Sequence, residues 1–281
     1  MNSKTMFGLF KLLRPVNMVI SFLTIAAGAV LSDASAAQWS QILLAGFAGA
    51  LIVGGGNALN DCLDVEIDRL NRPERPLPSD TITLRQANAA WVATSLVCAT
   101  MSYLLTPVNL YLAVFWVLAL YYYSRVLKRT VLLGNLTIGL LTGTAFLFGA
   151  VATGDPSKAL VPGIFAFLVN VAREIMKDVE DLEGDRAAGA RTLPVRYGPQ
   201  TALRMASLIL VLLVAVTPLP YSLGVYSQTY LWIVLGVDVI LLFVVVSWTL
   251  DGGRSNLMKL SGILKVAMVG GLIAIFAGSG S

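Results

Sequence analysis

Two groups of aspartates carry the strongest chemical signal in this sequence. Each group follows the spacing i, i+3 and i+7, and we name them the first acid cluster (Asp61, Asp64 and Asp68) and the second acid cluster (Asp178, Asp181 and Asp185). On a helix, this spacing would place each trio along one face. Because like charges at these separations repel each other, we interpret each cluster as a candidate cation site.

The residue types favour a hard divalent cation. The sequence contains no histidine and only 2 cysteines, so carboxylate and amide oxygens are the ligands left for a metal. Oxygen ligands favour Mg²⁺ over zinc or copper, and Mg²⁺ usually shares its coordination shell with substrate phosphates. The two clusters therefore predict Mg²⁺ together with a bound diphosphate.

The rest of the chain predicts the elements that position these acids. Of the 281 residues, 57% are apolar and 13% are charged, and the mean hydropathy is +0.77. These values are typical of a polytopic membrane protein, whose helices each need about 20 apolar residues to cross a bilayer. We predict a single all-α domain over residues 1–281 with nine transmembrane helices around a central cavity, at residues 16–32, 38–60, 84–105, 107–124, 131–152, 159–177, 201–219, 227–249 and 260–279.

Basic residues predict the orientation of these helices. With nine crossings, every Lys and Arg except Lys158 falls on one side of the membrane, and that side is cytoplasmic by the positive-inside rule. We therefore expect a multi-pass protein of the cell membrane, with a cytoplasmic N-terminus, an outer C-terminus and both acid clusters at the cytoplasmic face. The net charge of +4 then reflects topology and anionic ligands, since no basic stretch with interleaved aromatics indicates nucleic acid.

Solvated helix faces are the alternative interpretation of the acids. For one isolated cluster, that alternative is as good as a cation site. Both clusters, however, begin at a predicted membrane boundary, where solvation is poorer than in bulk water. The same spacing also recurs at Asp178, which is 117 residues after Asp61 (178 − 61). This repetition favours a shared cation-binding role.

Basic residues follow both clusters and could hold the phosphates. Positive-inside bias explains most of them, and we expect a few to be ligands. The loops also match, because Arg75-Pro76-Leu77-Pro78 follows the first cluster and Arg191-Thr192-Leu193-Pro194 follows the second. We interpret this as an internal duplication that contains residues 60–68 and 178–185. The phosphate-binding candidates are Arg14, Arg72, Arg75, Arg125, Lys128, Arg129, Lys177 and Arg191.

A diphosphate site that opens onto a membrane interior predicts a prenyl diphosphate as substrate. Departure of the diphosphate would leave an allylic carbocation, and apolar helix walls would exclude the water that quenches it. Such chemistry needs no protein nucleophile. It therefore agrees with a sequence that has no histidine to build a catalytic triad.

The motifs resemble those of a known family. Asn60-Asp61-x-x-Asp64-x-x-x-Asp68, the following Arg72-Pro73-Glu74-Arg75-Pro76-Leu77-Pro78-Ser79, and Asp178-x-x-Asp181-x-x-x-Asp185 are similar to the paired aspartate motifs of the UbiA superfamily of intramembrane prenyltransferases. The resemblance covers almost the whole chain. It implies two Mg²⁺ ions that bridge the diphosphate, with Asn60 and the first acid cluster on one side and the second acid cluster on the other. It also implies a cytoplasmic cap formed by the loops after helices 2 and 6.

The resemblance also points to polar residues of the cavity. The family's tyrosine and basic residue after the fourth helix have two alternative counterparts here, Tyr121 with Arg125 and Tyr123 with Lys128. Asp238 lies in the middle of a predicted helix, and a hydrogen bond to a neighbouring helix would explain it as well as a functional role. The candidate cavity residues are Tyr121, Tyr123, Asn57, Asn170 and Arg173.

Residues 64–73 and 173–185 are most similar to superfamily members that transfer a geranylgeranyl group to the hydroxyl of geranylgeranylglyceryl phosphate. This resemblance implies a geranylgeranyl diphosphate donor, an acceptor with its own phosphate, and a role in ether-lipid biosynthesis. Aromatic acceptors, such as quinone precursors or chlorophyllide, remain open. Paired acids would also suit a lipid-diphosphate hydrolase or a divalent-cation transporter. A transporter is expected to place carboxylates near the bilayer midplane, whereas here Asp238 is the only clear mid-span acid and both clusters lie at one face.

Overall fold

All regular secondary structure in the described part of the chain is helical. The structure is a computed structural model that describes residues 3–250 and 257–279. The all-α prediction is confirmed for this part of the chain. The helices are α1 Ser3–Leu13, α2 Pro15–Leu31, α3 Trp39–Leu63, α4 Val65–Asn71, α5 Leu84–Tyr103, α6 Pro107–Arg125, α7 Leu133–Thr153, α8 Leu160–Glu180, α9 Leu182–Ala187, α10 Leu193–Tyr197, α11 Pro199–Val216, α12 Leu219–Ser222, α13 Gln228–Leu250 and α14 Leu257–Ser279.

Each of the predicted membrane stretches coincides with one long helix. Seven helices in the described ranges are long and apolar enough to cross a membrane, and the bent pair of α1 and α2 raises the number to eight if it is one span. The chain is therefore a multi-pass membrane protein. Helix α5 is not among these helices, because its first turns carry Arg85, Gln86 and Asn88. The ninth crossing stays a prediction.

The chain divides into two compact units, and unit 1 comprises Met1–Leu127 and Ala145–Ala159. In unit 1, α3 contacts α1, α2, α5 and α6. Helices α2 and α7 approach each other closely, because a Cβ atom at Gly28 or Gly149 would collide with the partner helix's backbone, at Phe146 and Ile25 respectively. Small residues allow such close packing between membrane helices.

The loop after the first acid cluster is anchored in unit 1. Leu77 and Ile82 of this loop are 3% and 2% exposed, and they belong to one apolar cluster with Leu12 of α1 and Ala58 of α3. The loop ends at Thr83, which caps α5 through a reciprocal pair of hydrogen bonds with Gln86. This anchoring fixes the loop that carries Arg75.

Unit 2 comprises Lys128–Thr144 and Leu160–Ser281, and α8 lies at its core. Helix α8 contacts α10, α11 and α14, while α13 packs against α11 and α14. The α8 side chains of Ile175 and Met176 are fully buried in this core. The buried end of α8 leads directly into the second acid cluster.

Asp238 of unit 2 has a structural partner. Thr217 Oγ1 donates a 2.7 Å hydrogen bond to Asp238 Oδ2, and the Tyr230 hydroxyl donates to the Thr217 carbonyl at 2.6 Å. A hydrogen bond to a neighbouring segment is the explanation that the sequence left open for this intramembrane acid. The two cysteines, Cys62 and Cys98, are buried free thiols.

Candidate active site

Both acid clusters contain a helix break at the middle aspartate. Asp64 alone separates α3 from α4, and Asp181 alone separates α8 from α9. The backbone angles are nearly the same at the two residues, with φ −101° and ψ 4° at Asp64 and φ −90° and ψ 7° at Asp181. Each trio therefore spans two consecutive helices that meet at the middle aspartate.

The break leaves the backbone hydrogen bonds in place. Asp64 N donates to Asn60 O at 3.0 Å, and Asp68 N donates to Asp64 O at 2.8 Å. The second cluster repeats this pattern, since Asp181 N donates to Lys177 O and Asp185 N to Asp181 O, each at 2.9 Å. Dihedral angles of φ near −90° and ψ near 0° belong to the sparsely populated bridge region, and both middle aspartates adopt it while their backbone hydrogen bonds are kept.

Two arginines neutralise the first acid cluster. Arg14 Nη2 donates to Asp61 Oδ1 at 2.5 Å, and Arg75 Nη1 donates to the same oxygen at 3.3 Å and to Asp68 Oδ2 at 2.6 Å. Asp61 and Asp68 are only 3% and 5% exposed. Buried carboxylates are stable only when they are paired or bound to a metal, and the two arginines provide such pairs for Asp61 and Asp68.

The backbone is strained at the first of these arginines. Arg14 has φ 52° and ψ 73°, a left-handed conformation, and it precedes α2 at the 47° bend between α1 and α2. Non-glycine residues rarely adopt this conformation, and such strain persists only where surrounding contacts hold it. Asp61 provides such a contact for Arg14.

Two asparagines of α3 have different roles. Asn60 Nδ2 donates to Asp64 Oδ2 at 2.9 Å, so Asn60 lies with the first acid cluster, as predicted. Asn57 Nδ2 donates to the carbonyl oxygen of Leu13 at 3.2 Å. Asn57, a predicted cavity residue, therefore ties α3 to the end of α1.

Neutral donors contact the second acid cluster. Asn135 Nδ2 donates to Asp178 Oδ2 at 2.7 Å, and Thr192 Oγ1 donates to Asp185 Oδ2 at 3.0 Å. Burial raises the pKa of the Asp185 carboxyl above its ordinary value. The hydrogen bond from Thr192 opposes this shift, and the negative charge of Asp181 adds to it. Asp181 itself is exposed.

Basic residues of α8 surround a buried carboxylate. Arg173 Nη1 donates to Glu174 Oε1 at 3.1 Å, and Lys177 Nζ donates to Glu174 Oε1 and Oε2 at 3.1 and 2.9 Å. Asn170, a predicted cavity residue, donates its amide to the Ala166 carbonyl at 2.9 Å within its own helix. Arg173 and Lys177 are thus brought together by Glu174.

Tyr121 and Arg125, one of the two predicted tyrosine–base pairs, are in contact. Arg125 Nη1 donates to the Tyr121 hydroxyl at 2.7 Å, and the guanidinium carbon lies 5.9 Å from the centre of the Tyr121 ring. Tyr123 is partly buried on α6, and Lys128 lies in the short 3₁₀ helix Leu127–Arg129. Which pair acts in catalysis stays a prediction.

The remaining phosphate-binding candidates are exposed arginines in loops. Arg72 lies between α4 and α5, and Arg191 lies between α9 and α10. Arg191 N donates to Arg129 O at 2.8 Å, so the backbone brings two predicted phosphate ligands together within unit 2. Their exposure leaves both side chains accessible to an anion.

Comparison with known proteins identifies the family. Residues 21–265 match the model of the UbiA prenyltransferase family. The chain belongs to the UbiA prenyltransferase family. It is 37% identical to the digeranylgeranylglyceryl phosphate synthase of Methanopyrus kandleri over 272 residues, which cover 95% of this chain and 97% of that protein. It is 40% identical to the synthase of the same name from Methanosarcina barkeri over 230 residues, which cover 81% and 78% of the two chains.

Solved structures of the UbiA family share this fold. A structure described as that of a digeranylgeranylglyceryl phosphate synthase in membranes matches with a TM-score of 0.82 and 32% identity, over 98% of both chains. A UbiA homolog from Archaeoglobus fulgidus bound to DMAPP and Mg²⁺ matches with a TM-score of 0.68 and 19% identity, over 95% of this chain and 99% of that one. The second likeness concerns the fold alone.

The donors of this UbiA family member fit a hard divalent cation. The two clusters supply carboxylate oxygens, and Asn60 adds an amide. The guanidinium of Arg75 already bridges Asp61 and Asp68 as a positive group between two carboxylates. Within residues 3–250 and 257–279, however, no three His, Cys, Asp or Glu side chains converge into a preformed metal site.

Sequence reasoning missed Thr192 as a partner of the second cluster. The repeated Arg-x-Leu-Pro motif pairs Arg75 with Arg191. In the structure, Arg75 donates to Asp68 (75 − 68 = 7) and Thr192 donates to Asp185 (192 − 185 = 7). Aligning the two loops on the third aspartate of each cluster, instead of on the Arg-x-Leu-Pro motif, would have identified Thr192 as the counterpart of Arg75.

Proposed function

We propose that the chain is a Mg²⁺-dependent prenyltransferase of ether-lipid biosynthesis. It transfers a geranylgeranyl group from geranylgeranyl diphosphate to the hydroxyl of geranylgeranylglyceryl phosphate. The carbon–oxygen bond to the diphosphate breaks, an ether bond to the acceptor oxygen forms, and the hydroxyl proton and the diphosphate are released. The observation that carries the proposal is a pair of acid clusters with the same spacing and the same helix break, in a chain that is 37% identical to a digeranylgeranylglyceryl phosphate synthase over 95% of its length.

Two Mg²⁺ ions are proposed as the cofactors. Asn60 and the first acid cluster would hold one ion, and the second acid cluster would hold the other. A bound Mg²⁺ ion supplies Lewis-acid stabilisation of the negative charge that develops on a leaving diphosphate. The Archaeoglobus fulgidus homolog bound to DMAPP and Mg²⁺ supports this choice of metal, as does the all-oxygen donor set.

The basic side chains are proposed to bind phosphate oxygens. Arg14 and Arg75 are the cationic partners of Asp61 and Asp68 before a metal ion arrives. The remaining candidates would contact the donor or the acceptor, and the exposed positions of Arg72, Arg129 and Arg191 support that role. The planar guanidinium groups suit bidentate binding of phosphate. The apolar helices exclude water from the allylic carbon.

The proposed topology has nine crossings, a cytoplasmic N-terminus, an outer C-terminus and an active site on the cytoplasmic side. The loops after α3 and α8 would form the cap, and the whole chain would be one domain with an internal duplication. The basic residues support this orientation. Lys158, the exception, forms an ion pair with Asp33, so its charge is compensated.

An acceptor screen tests the proposal. The purified protein in lipid nanodiscs receives radiolabelled geranylgeranyl diphosphate and Mg²⁺ with geranylgeranylglyceryl phosphate, 4-hydroxybenzoate or chlorophyllide. We expect labelled ether lipid from the first acceptor and none after a chelator removes the metal. Labelled aromatic product alone would assign a different acceptor class. Free prenol as the product would indicate a hydrolase, and cation flux without turnover a transporter.

A further inference from the structure

The last two turns of α8 hold a charged group that the metal chemistry does not use. Glu174 lies between Arg173 and Lys177, and its carboxylate accepts hydrogen bonds of 2.9–3.1 Å from both. Glu174 is 7% exposed, and the side chains of Arg173 and Lys177 are 19% and 39% exposed. Two cations therefore share one carboxylate in a largely buried place.

This group is short of acceptors. Arg173 Nε is buried without a hydrogen-bond partner in the part of the chain that the structure describes. Buried N–H donors are nearly always paired, so an unpaired one needs an explanation. Of the further carboxylates of α8, Asp178 is a proposed metal ligand, and the exposed Glu180 acts on both cations through the electrostatic field. Glu174 is the carboxylate that contacts them. The arrangement favours an additional anion with several acceptor oxygens.

The matching turn of α3 lacks this charged group. Counting back five, four and one residues from Asp178 gives Arg173, Glu174 and Lys177, whereas the same count from Asp61 gives Gly56, Asn57 and Asn60. A Cβ atom at Gly56 would lie 2.9 Å from the side chain of Leu120, so this face of α3 packs against α6. The acid spacing is repeated in the two halves and the basic pair is not.

A basic pair that is present in only one half of the chain suits a ligand that binds at one place only. The proposed metal ions draw on both clusters to hold the diphosphate of the donor. The proposed acceptor carries one further phosphate, and one half of the chain carries the basic pair. Arg173 is separated from Asp178 by about 7.5 Å along the helix axis and about 140° around it, because each helical residue rises about 1.5 Å and turns about 100°. A phosphate bound at Arg173 would therefore be separate from the metal-bound diphosphate.

We propose that Arg173 and Lys177 form the binding subsite for the phosphate monoester of the acceptor. Glu174 is a positioning residue that holds the two side chains on one side of α8 until the phosphate binds. The phosphate carries a charge close to −2 at neutral pH and offers three acceptor oxygens. It therefore offers an acceptor to the unpaired Arg173 Nε and offsets the positive charge of the pair that Glu174 leaves uncompensated. This assignment rests on the proposed function and specifies how it selects its acceptor.

Two acceptors that differ in their phosphate test the subsite. Transfer of the geranylgeranyl group is measured with geranylgeranylglyceryl phosphate and with geranylgeranylglycerol, for the wild type, Arg173→Gln and Lys177→Gln. Because a hydrogen bond to a charged group contributes about 1.5–3 kcal/mol, we expect kcat/KM for the phosphorylated acceptor to fall roughly 10- to 100-fold in each variant. The value for geranylgeranylglycerol and the KM for the donor should not change.

Two variants complete the test. Glu174→Gln keeps the shape of the side chain and removes the charge that orients the pair, so we expect a higher KM for the phosphorylated acceptor with kcat retained. Arg204→Gln is the matched control, since Arg204 is an exposed arginine of α11, and it should leave both acceptors unchanged. If Arg173→Gln does not fold, Lys177→Gln decides, because its side chain is the more exposed of the two.

The outcomes separate the subsite from the proposed function. If the wild type uses neither glycerol lipid, the proposed function is wrong, and the subsite with it. If the wild type makes the ether lipid but the variants lose both acceptors equally, the subsite assignment alone is overturned. A raised KM for geranylgeranyl diphosphate would also overturn it, because the pair would then bind the donor.

Discussion

The two acid clusters share their spacing and backbone but differ in what surrounds them. Both place three aspartates around a helix break, at Asp64 and at Asp181. The first cluster is contacted by the guanidinium groups of Arg14 and Arg75. The second is contacted by neutral side chains, and the positive charges of Lys128 and Lys177 act on it through the electrostatic field. Geometry is therefore repeated, whereas charge compensation is not.

This difference predicts how each cluster behaves without a metal. A buried ion pair is strongly destabilised when one partner is removed, because the other charge is left unpaired. A hydrogen bond from a neutral donor to a carboxylate is weaker, and its loss costs about 1.5–3 kcal/mol. The first cluster should therefore depend on its arginines for stability. The second should carry residual negative charge that a cation relieves.

The largest effect should be the same for both clusters. Asp64→Ala and Asp181→Ala each remove a proposed metal ligand at a helix break, and we expect each to lower the rate of prenyl transfer by at least about 100-fold, the size of effect seen when one charge-stabilising group is lost. The measurement is incorporation of radiolabel into the ether lipid. Circular dichroism checks that both variants remain helical.

If one of these two variants folds and shows normal turnover, the two clusters are not equally required for catalysis. If Asp181→Ala is active and Asp64→Ala is not, one cluster would suffice for catalysis. Glu183→Ala is the matched control, because Glu183 is an exposed acid of the short helix α9 outside the i, i+3, i+7 spacing. Its activity should stay close to that of the wild type.

The repeated spacing shows how far sequence could predict the site. The aspartates and the helical fold follow from residue type and hydropathy, which are local properties of the chain. The partners of those aspartates do not, because Asp61 meets Arg14 and Asp178 meets Asn135 through contacts 47 and 43 residues apart. The helix break at Asp64 and Asp181 was also missed, since aspartate is compatible with both a helix and its end.

The next largest effect should appear at Arg75. Arg75→Gln leaves Asp68 without its 2.6 Å partner and Asp61 with Arg14 alone. We expect the metal-free protein to lose about 3 kcal/mol of unfolding free energy, at the low end for a broken buried ion pair. Added Mg²⁺ should recover part of the loss. Chemical unfolding in one detergent, with and without Mg²⁺, measures both values.

Arg69→Gln is the control for Arg75. Arg69 pairs with Glu66 at 3.2 Å, but both side chains are exposed, at 53% and 78%. Exposed pairs contribute less than about 1 kcal/mol, so this variant should be nearly as stable as the wild type. Equal losses in the two variants would mean that Arg75 does not neutralise buried charge.

A smaller effect is expected at Thr192, which occupies the position of Arg75 relative to the third aspartate. Thr192→Val removes the 3.0 Å hydrogen bond to Asp185 and keeps the size of a side chain that is 1% exposed. We expect a loss of about 1.5 kcal/mol in unfolding free energy, at the low end for a hydrogen bond to a charged group. A loss as large as that of Arg75→Gln would contradict the distinction between ionic and neutral partners.

The smallest and most specific difference concerns Asp185 and pH. Burial raises the pKa of this carboxyl in the folded protein, so its ionised form lowers stability at any pH above the folded pKa. That cost shrinks as the pH falls through the folded pKa, and it is absent below the ordinary, unfolded value. Asp185→Asn should therefore make the metal-free protein slightly more stable at neutral pH, and the gain should vanish in acid.

Asp68→Asn should do the opposite at neutral pH, because it removes the 2.6 Å partner of Arg75. Unfolding free energies of the two variants at several pH values decide the point: shifts of the same sign would show that charge compensation is alike in the two clusters.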